Sequence, residues 1–145
     1  MDRKAAIELI EKFLAASMSG DKEGSRAVVS PDLVFTFTGK RRFERAEQTG
    51  EFNAKRYASV KKDITTYDVC PEEEGRLVVY CLGTLFGSWP DGTPFEGNRF
   101  IDRFEIRDGR IEKIDVWNDS AEWLLTRAGL AEDQDYKEKQ HERSQ

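Results

Sequence analysis

The sequence has very few of the residues on which metal and imidazole chemistry depend. Its 145 residues include one histidine, His141, and two cysteines, Cys70 and Cys81. His141 stands in a highly charged C-terminal segment, and the spacing of the two cysteines fits no metal motif. The sequence therefore argues against a zinc site and against histidine as a general acid or base in the folded part. We expect no metal and no cofactor.

Long apolar runs and an excess of positive charge are also missing. No apolar run approaches the roughly 20 residues that span a bilayer. The net charge of −5 argues against a nucleic-acid partner. The first ten residues lack the apolar stretch of a signal peptide, and free thiols are typical of a reducing compartment. We therefore expect a cytoplasmic protein that binds neither membranes nor nucleic acid.

The most informative stretch is residues 100–120, FIDRFEIRDGRIEKIDVWNDS. The pair Asp108-Gly109 predicts a hairpin turn, because glycine readily adopts a positive φ. Side chains alternate along a strand, so the mostly apolar faces are Phe100, Asp102, Phe104 and Ile106 in the first strand and Ile114, Val116 and Asn118 in the second. Each of these faces carries one polar residue, Asp102 or Asn118.

The rest of the chain alternates between helical and strand patterns. Helices are predicted at residues 3–19, 21–30, 50–61 and 121–129, and further strands at 33–39, 64–70 and 76–89. This order predicts an α+β domain in which the N-terminal helices pack on one face of a strongly curved antiparallel sheet. We expect a single domain over residues 1–131. Residues 132–145 are almost wholly polar, which is typical of a disordered tail.

Three segments resemble the NTF2-like superfamily, which includes SnoaL-like cyclases, ketosteroid isomerases and limonene-epoxide hydrolases. They are the opening helix ending in FLAASMSGD, the helix beginning at Gly50, and FIDRFEIRDGRIEKIDVWND. The resemblance spans roughly residues 5–125. It implies a cone-shaped fold that is open at one end, an arrangement suited to an apolar ligand pocket.

The resemblance also bears on the chemistry. Asp102 falls on the strand that carries the oxyanion-hole aspartic acid of ketosteroid isomerases. Phe13 stands where those isomerases have a tyrosine, and Phe37 where their catalytic aspartate is found. Leu82 and Thr84 stand where the epoxide hydrolases have their Arg-x-Asp pair. These departures argue against steroid isomerisation and against epoxide hydrolysis.

The predicted catalytic residues are Asp102, Asn118, Tyr80 and Arg42. Asp102 is the candidate acid–base group because burial disfavours a charged carboxylate, and the alternative is a structural carboxylate paired with an arginine. Asn118 and Tyr80 are candidate polar partners; alternatively, they are a strand-end amide and a core tyrosine. Arg42 would hold an anionic or phenolic oxygen, unless its loop is simply a solvated basic segment.

The predicted substrate-binding residues are mainly aromatic and aliphatic, with an arginine and a threonine among them. They are Phe13, Phe37, Arg41, Tyr57, Thr84, Trp89, Phe104, Ile114 and Val116. Arg45 belongs to the same basic segment as Arg41 and is a further candidate for the anion clamp.

Two functions from different classes fit these residues. The leading hypothesis is a small cofactor-free enzyme that binds a hydrophobic, aromatic or polycyclic metabolite. Its acid–base chemistry would be isomerisation, cyclisation or elimination, including carbon–carbon cleavage that releases a small aldehyde. The alternative is a non-catalytic ligand-binding or dimerisation module. A homodimer is expected in either case, because both faces of the long strands carry apolar residues, among them Val79, Cys81 and Leu85, and Trp117 lies on the far face of the last strand.

Overall fold

The computed structural model describes residues 1–132, which form four α-helices, one short 3-10 turn and one six-stranded sheet. The elements in chain order are α1 (Arg3–Ser19), α2 (Lys22–Val28), β1 (Val29–Phe37), the 3-10 turn (Thr38–Lys40), β2 (Arg41–Phe43), α3 (Gln48–Arg56), β3 (Ser59–Val69), β4 (Arg76–Ser88), β5 (Pro94–Arg107), β6 (Arg110–Asn118) and α4 (Ser120–Arg127). No helix within this part of the chain is long and apolar enough to cross a membrane. The predicted tail lies outside the described residues except for Glu132.

The sheet has the strand order β2-β1-β6-β5-β4-β3 and is not closed into a barrel. The long strands β3 to β6 form an antiparallel meander. β1 runs parallel to β6, so the sheet is mixed rather than wholly antiparallel as predicted. The physical reason is that β1 reaches β6 through the whole intervening meander and not through a hairpin. The predicted α+β architecture is confirmed.

Helix α1 covers one face of the sheet. It begins where the side chain of Asp2 accepts a hydrogen bond from the backbone N–H of Ala5 at 2.8 Å, and it ends at Gly20, whose φ of 73° is left-handed. The Phe13 ring packs edge-on against Phe104 with 6.1 Å between the ring centres. We call the sheet face that carries Phe104 the inner face, and the opposite face the outer face.

The β5–β6 hairpin has the predicted turn and the predicted faces. Asp108 and Gly109 both adopt positive φ, at 51° and 73°. Phe100 lies opposite Asn118, and Asp102 lies opposite Val116. Phe104, two residues beyond Asp102, faces α1, so Asp102 and Asn118 both lie on the inner face. That prediction is confirmed.

The region between α3 and β3 differs from its prediction. Helix α3 ends at Arg56 rather than at Lys61, and β3 begins at Ser59 rather than at Ile64. Tyr57, between the two elements, is already extended, with φ −129° and ψ 146°. Strand pairing with β4 therefore overrides the helical pattern here, and Lys62 belongs to a strand.

Candidate functional site

Asp102 is the most deeply buried acidic residue of the inner face, with 2% of its surface exposed. It lies between Cys81 of β4 and Val116 of β6. Its Oδ2 is ion-paired with the Lys62 Nζ of β3. Its Oδ1 is buried and has no hydrogen-bond partner among residues 1–132. Because an unpaired buried acceptor costs free energy, Oδ1 is an open position for a donor from a ligand or from water.

Lys62 reaches this carboxylate from β3, two strands away from β5. Its ammonium also lies 4.8 Å from the centre of the Phe100 ring, which is a favourable cation–π position. Strand β4 lies between β3 and β5 and carries Gly83, where an added Cβ would stand 2.0 Å from the carbonyl oxygen of Asp63. Only glycine therefore permits β3 to approach β4 so closely. Lys62 keeps 23% of its side chain exposed, so its end of the ion pair is in contact with water while the Asp102 carboxylate is buried.

The alternative role for Asp102 in the sequence analysis is that of a structural carboxylate, ion-paired with an arginine such as Arg99 or Arg103. Arg99 instead donates to Asp119 at 2.7 Å. Arg103 lies on the outer face, where it pairs with Glu105 at 3.3 Å. The partner of Asp102 is therefore a lysine, and the sequence patterns did not single that lysine out.

Two neutral acids lie beside the ion pair. Burial raises the pKa of the Cys81 thiol to about 12; the charge of Asp102 adds to this shift and the charge of Lys62 opposes it. Burial, with a smaller contribution from Cys81, likewise raises the pKa of Tyr67 to about 12. Tyr67 and Cys81 are cross-strand neighbours. Both groups therefore stay protonated at neutral pH.

The raised pKa of Cys81 predicts a loss of stability in alkali. Above the ordinary thiol value of 9.0 the unfolded chain releases this proton while the folded chain keeps it until about pH 12. The free energy of unfolding should therefore fall as the pH rises from 9, by about 1.4 kcal/mol per pH unit for this group. Urea unfolding of Cys81→Ala at pH 9 and 10 should give a shallower fall than wild type. Cys70→Ala, which removes a half-exposed thiol, is the control, and equal slopes in the two variants would contradict the assignment.

A second polar cluster lies on the inner face around Ser120, which is fully buried. The Ser120 hydroxyl accepts hydrogen bonds from Tyr57 Oη at 2.5 Å and from Asn98 Nδ2 at 3.2 Å. The Asn118 side-chain oxygen accepts from the backbone N–H of Ser120 at 3.1 Å, so it holds the start of α4 as the strand-end alternative supposed. Asn98 Oδ1 is buried without a partner in the described chain.

Aromatic rings surround this second cluster. Trp89 stacks on Tyr57 at 5.6 Å and on Phe95 at 4.3 Å between ring centres. The structure thus brings the predicted residues Tyr57 and Trp89 together. The other predicted apolar contact residues are all buried in the core, namely Phe13, Phe37, Phe104, Ile114 and Val116.

Tyr80 and Thr84 do not join the site. Tyr80 lies opposite Arg103 in the β4–β5 pairing, and its hydroxyl accepts from Arg103 Nε at 3.3 Å on the outer face. Thr84 lies opposite Arg99 on the same outer face. Because Cys81 points inward beside Asp102, its neighbour Tyr80 must point outward. The prediction that Tyr80 and Thr84 share the pocket with Asp102 is therefore wrong.

The three arginines of the basic segment, Arg41, Arg42 and Arg45, have different surroundings. Arg42 is exposed and lies opposite Thr36, whose neighbour Phe37 points inward, so Arg42 faces away from the core and its predicted catalytic position is wrong. Arg45 pairs with Glu47 at 3.6 Å. Arg41 alone lies against an aromatic ring beside the core, with its guanidinium carbon 5.0 Å from the centre of the Phe52 ring.

Arg45 and Glu47 also line a surface groove of about 320 Å³ that runs past the start of β1. Arg26, on the other side of this groove, pairs with Glu47 at 2.5 Å. Glu47 thus pairs with two of the three arginines that line the groove, and Arg110 is the third.

No protein-family model matches the chain, and no curated protein matches it in sequence. Solved structures do match it. An NTF2-like protein of unknown function from Burkholderia pseudomallei is 18% identical, with a TM-score of 0.65 over 86% of this chain and 96% of that one. A provisionally named SnoaL-like polyketide cyclase from Jannaschia sp. is 17% identical, with a TM-score of 0.64 over 86% and 95%. TerC, crystallised with polyporic acid, is 19% identical, with a TM-score of 0.64 over 83% and 95%.

These similarities establish the fold. The chain has the cone-shaped NTF2-like fold that the resemblance of its three segments implied, and the agreement covers most of its length. At such low sequence identity the fold is all that they establish, because proteins of one fold often differ in function.

Proposed function

We propose that this chain is a small cofactor-free enzyme that binds a hydrophobic, aromatic or polycyclic metabolite on the inner face and transfers a proton to or from it. The observation that carries the proposal is Asp102, a carboxylate that is 2% exposed, ion-paired through one oxygen and without a partner in the described part of the chain at the other. Asp102 is the acid–base group. Lys62 is a positioning residue whose charge also favours negative charge on a nearby substrate oxygen.

The proposed chemistry needs only these groups. Asp102 Oδ1 takes a proton from a C–H or O–H bond of the substrate, and the Lys62 ammonium stabilises the oxyanion that develops. In an isomerisation the proton returns to another carbon. In an aldehyde-releasing cleavage Oδ1 takes the hydroxyl proton, the adjoining carbon–carbon bond breaks, and the carbon left behind receives the proton. The neutral thiol of Cys81 and phenol of Tyr67 add no charge beside the reacting atoms.

The inner face also suits a hydrophobic ligand. Phe100 flanks Asp102 on β5, and Tyr57 and Trp89 line the adjoining cluster. TerC, which has the same fold, was crystallised with polyporic acid, which supports a ligand-binding role. The pairing of Asp102 Oδ2 with Lys62 favours the second candidate, a binding module without catalysis, because it would make this carboxylate structural.

The test is to incubate a metabolite extract with the wild-type protein and with Asp102→Asn, and to follow each compound by mass spectrometry. Consumption of an aromatic compound by wild type, with a matching product and with no added metal or nucleotide, would support the enzyme. Depletion of a compound without a product, by both proteins alike, would support the binding module and overturn the catalytic role.

The outer face leads to a separate proposal, that two copies of the chain pair through it. Trp117 is 54% exposed and lies opposite Ile101, which is 37% exposed, and Phe86 is 41% exposed. The residues that first suggested a dimer, Val79, Cys81 and Leu85, are instead buried in the core. Exposed apolar residues on one sheet face favour association with a second copy.

Light scattering should therefore give a dimer mass for wild type at micromolar concentration. The double variant Ile101→Glu/Trp117→Glu should give a monomer mass, because charges would be buried without partners in the interface. Leu130→Glu, which changes a residue 76% exposed beyond α4, is the control. A monomeric wild type would rule the proposal out.

A further inference from the structure

An aromatic cluster lies where β1, β2 and α3 meet. Phe37 of β1 stacks on Phe43 of β2 at 5.5 Å between ring centres and meets Phe52 of α3 edge-on at 5.0 Å. Phe37 is a buried inner-face residue, and Phe52 packs against the core while remaining partly exposed. These rings therefore extend the inner face towards the edge of the sheet.

Two guanidinium groups lie on the outermost ring of this cluster. The guanidinium carbon of Arg41 is 5.0 Å from the centre of the Phe52 ring, and that of Arg56 is 4.6 Å from it. Arg41 Nη1 donates to the backbone oxygen of Thr38 at 2.8 Å. We call Arg41, Phe52 and Arg56 the Phe52 clamp. Neither of its arginines is ion-paired with a carboxylate of residues 1–132.

One polar atom of the Phe52 clamp, Nη1 of Arg56, is buried without a hydrogen-bond partner among residues 1–132. The same is true of Oγ1 of Thr38, whose backbone oxygen accepts from Arg41. A charged donor that has lost its water and found no acceptor is costly, more so than a neutral one. The remaining buried orphans of the described chain, on Asn98 and Asp102, are acceptors on the inner face. The buried Arg56 donor therefore needs an acceptor, such as an anion, whereas Asn98 and Asp102 need a donor.

We propose that the Phe52 clamp binds the carboxylate of an aromatic acid whose ring system extends along Phe37 towards Asp102. The inference rests on the proposed function, because it names an acidic aromatic compound as the substrate of that site. Guanidinium groups bind planar carboxylates through paired, charge-assisted hydrogen bonds. The guanidinium groups lie over the Phe52 ring, so the stacked Phe37 and Phe43 rings supply the apolar surface on which the remainder of such a molecule lies.

The sheet sets the length of the ligand. Phe37 extends the β1–β6 register of Thr36 with Asp115, which aligns it with Val116, and Val116 lies opposite Asp102. Neighbouring strands are about 4.8 Å apart, so two strand spacings separate Phe37 from Asp102 by roughly 10 Å. The Phe52 ring centre lies a further 5.0 Å from that of Phe37. A ligand held at the Phe52 clamp must therefore span roughly 15 Å, the length of about three linked rings, to reach Oδ1 of Asp102.

The test uses biphenyl-4-carboxylate as the probe and its uncharged analogue biphenyl-4-carboxamide as the reference, with binding measured by calorimetry or by NMR titration. The acid should bind wild type at least about tenfold more tightly than the amide, because only the acid is charge-complementary to two arginines. Arg41→Gln and Arg56→Gln should each weaken binding of the acid by at least about tenfold. They should leave binding of the amide within about twofold.

Arg42→Gln is the matched control, since it removes the same charge from the same strand on the opposite face, and it should change neither affinity. Arg56→Lys keeps the charge and the apolar stem, so it covers the case in which Arg56→Gln fails to fold. Equal affinities for acid and amide, or an effect of Arg42→Gln as large as that of Arg41→Gln, would overturn the proposal.

The proposed function and the Phe52 clamp can fail separately. The probe carries no donor for Asp102, so Asp102→Asn should bind biphenyl-4-carboxylate as wild type does. If Asp102→Asn keeps full turnover while the arginine variants bind biphenyl-4-carboxylate more weakly, the acid–base role is wrong and the clamp proposal stands. If Asp102→Asn abolishes turnover while the acid binds all the proteins alike, the clamp fails and the proposed function stands.

Discussion

Replacing Asp102 by asparagine should lower turnover by about a hundredfold to ten-thousandfold, the usual contribution of a general acid or base. The amide has nearly the shape of the carboxylate and can still accept a hydrogen bond from Lys62, but it cannot take up the proton. Substrate affinity should therefore change little. The measurement is turnover and affinity on one preparation, with the substrate identified by the metabolite comparison.

Asp115→Asn is the matched control for this variant. Asp115 lies on β6 but on the outer face, where its carboxylate is near Arg103 and Lys113 at 3.8 and 3.9 Å. It should keep full turnover, because no outer-face carboxylate contacts the proposed substrate. An Asp102→Asn protein with full turnover and a lower melting temperature would make Asp102 a structural carboxylate and remove the acid–base proposal.

Local patterns predicted much of the fold because neighbours in the sequence decide it. Helix α1 has the predicted bounds, with Asp2 at its start and Gly20 at its end. The β5–β6 hairpin follows from its Asp108-Gly109 turn and its alternation, which also put Asp102 and Asn118 on one face. Short-range geometry of this kind needs no knowledge of the rest of the chain.

Local patterns do not predict the role of Lys62, because its position on the inner face depends on pairing with β4, a strand distant in sequence. The helical pattern of residues 50–61 suggested that the strand begins at Ile64, which left Lys62 in a connection without a face. Pairing with β4 starts the strand at Ser59 instead and turns Lys62 inward. The presence of Gly83 in the middle of β4 was the available signal, since glycine within a strand often marks a close approach of another backbone.

The prediction that Tyr80 lies beside Asp102 is wrong for a different reason. Both faces of β4 carry apolar residues, so alternation alone cannot tell which face is inward. The register with β5 decides it, because Cys81 lies opposite Asp102 and Tyr80 lies opposite Arg103. Asn98 and Ser120 were missed because their hydrogen bonds join β5 to α4, and no local pattern records such contacts.

Replacing Lys62 by methionine should lower the free energy of unfolding by about 3 kcal/mol, because it leaves the Asp102 carboxylate buried and unpaired. Breaking a buried ion pair from one side costs about 3 to 5 kcal/mol. The low end of that range applies, because the Lys62 side chain is 23% exposed and water can enter the space that its ammonium leaves.

The double variant Lys62→Met/Asp102→Asn separates this cost from the loss of packing around the lysine. With no charge left to bury, it should recover most of the stability that Lys62→Met loses, so the two substitutions should be coupled by about 1 to 3 kcal/mol. Urea unfolding of the four proteins at pH 7 measures the coupling. Lys113→Met, which removes a lysine of the outer-face charge network that is 43% exposed, should cost less than about 1 kcal/mol. Strict additivity of Lys62→Met and Asp102→Asn would mean that the ion pair contributes nothing to the stability of the inner face, and Lys62 would then be free of Asp102 in solution.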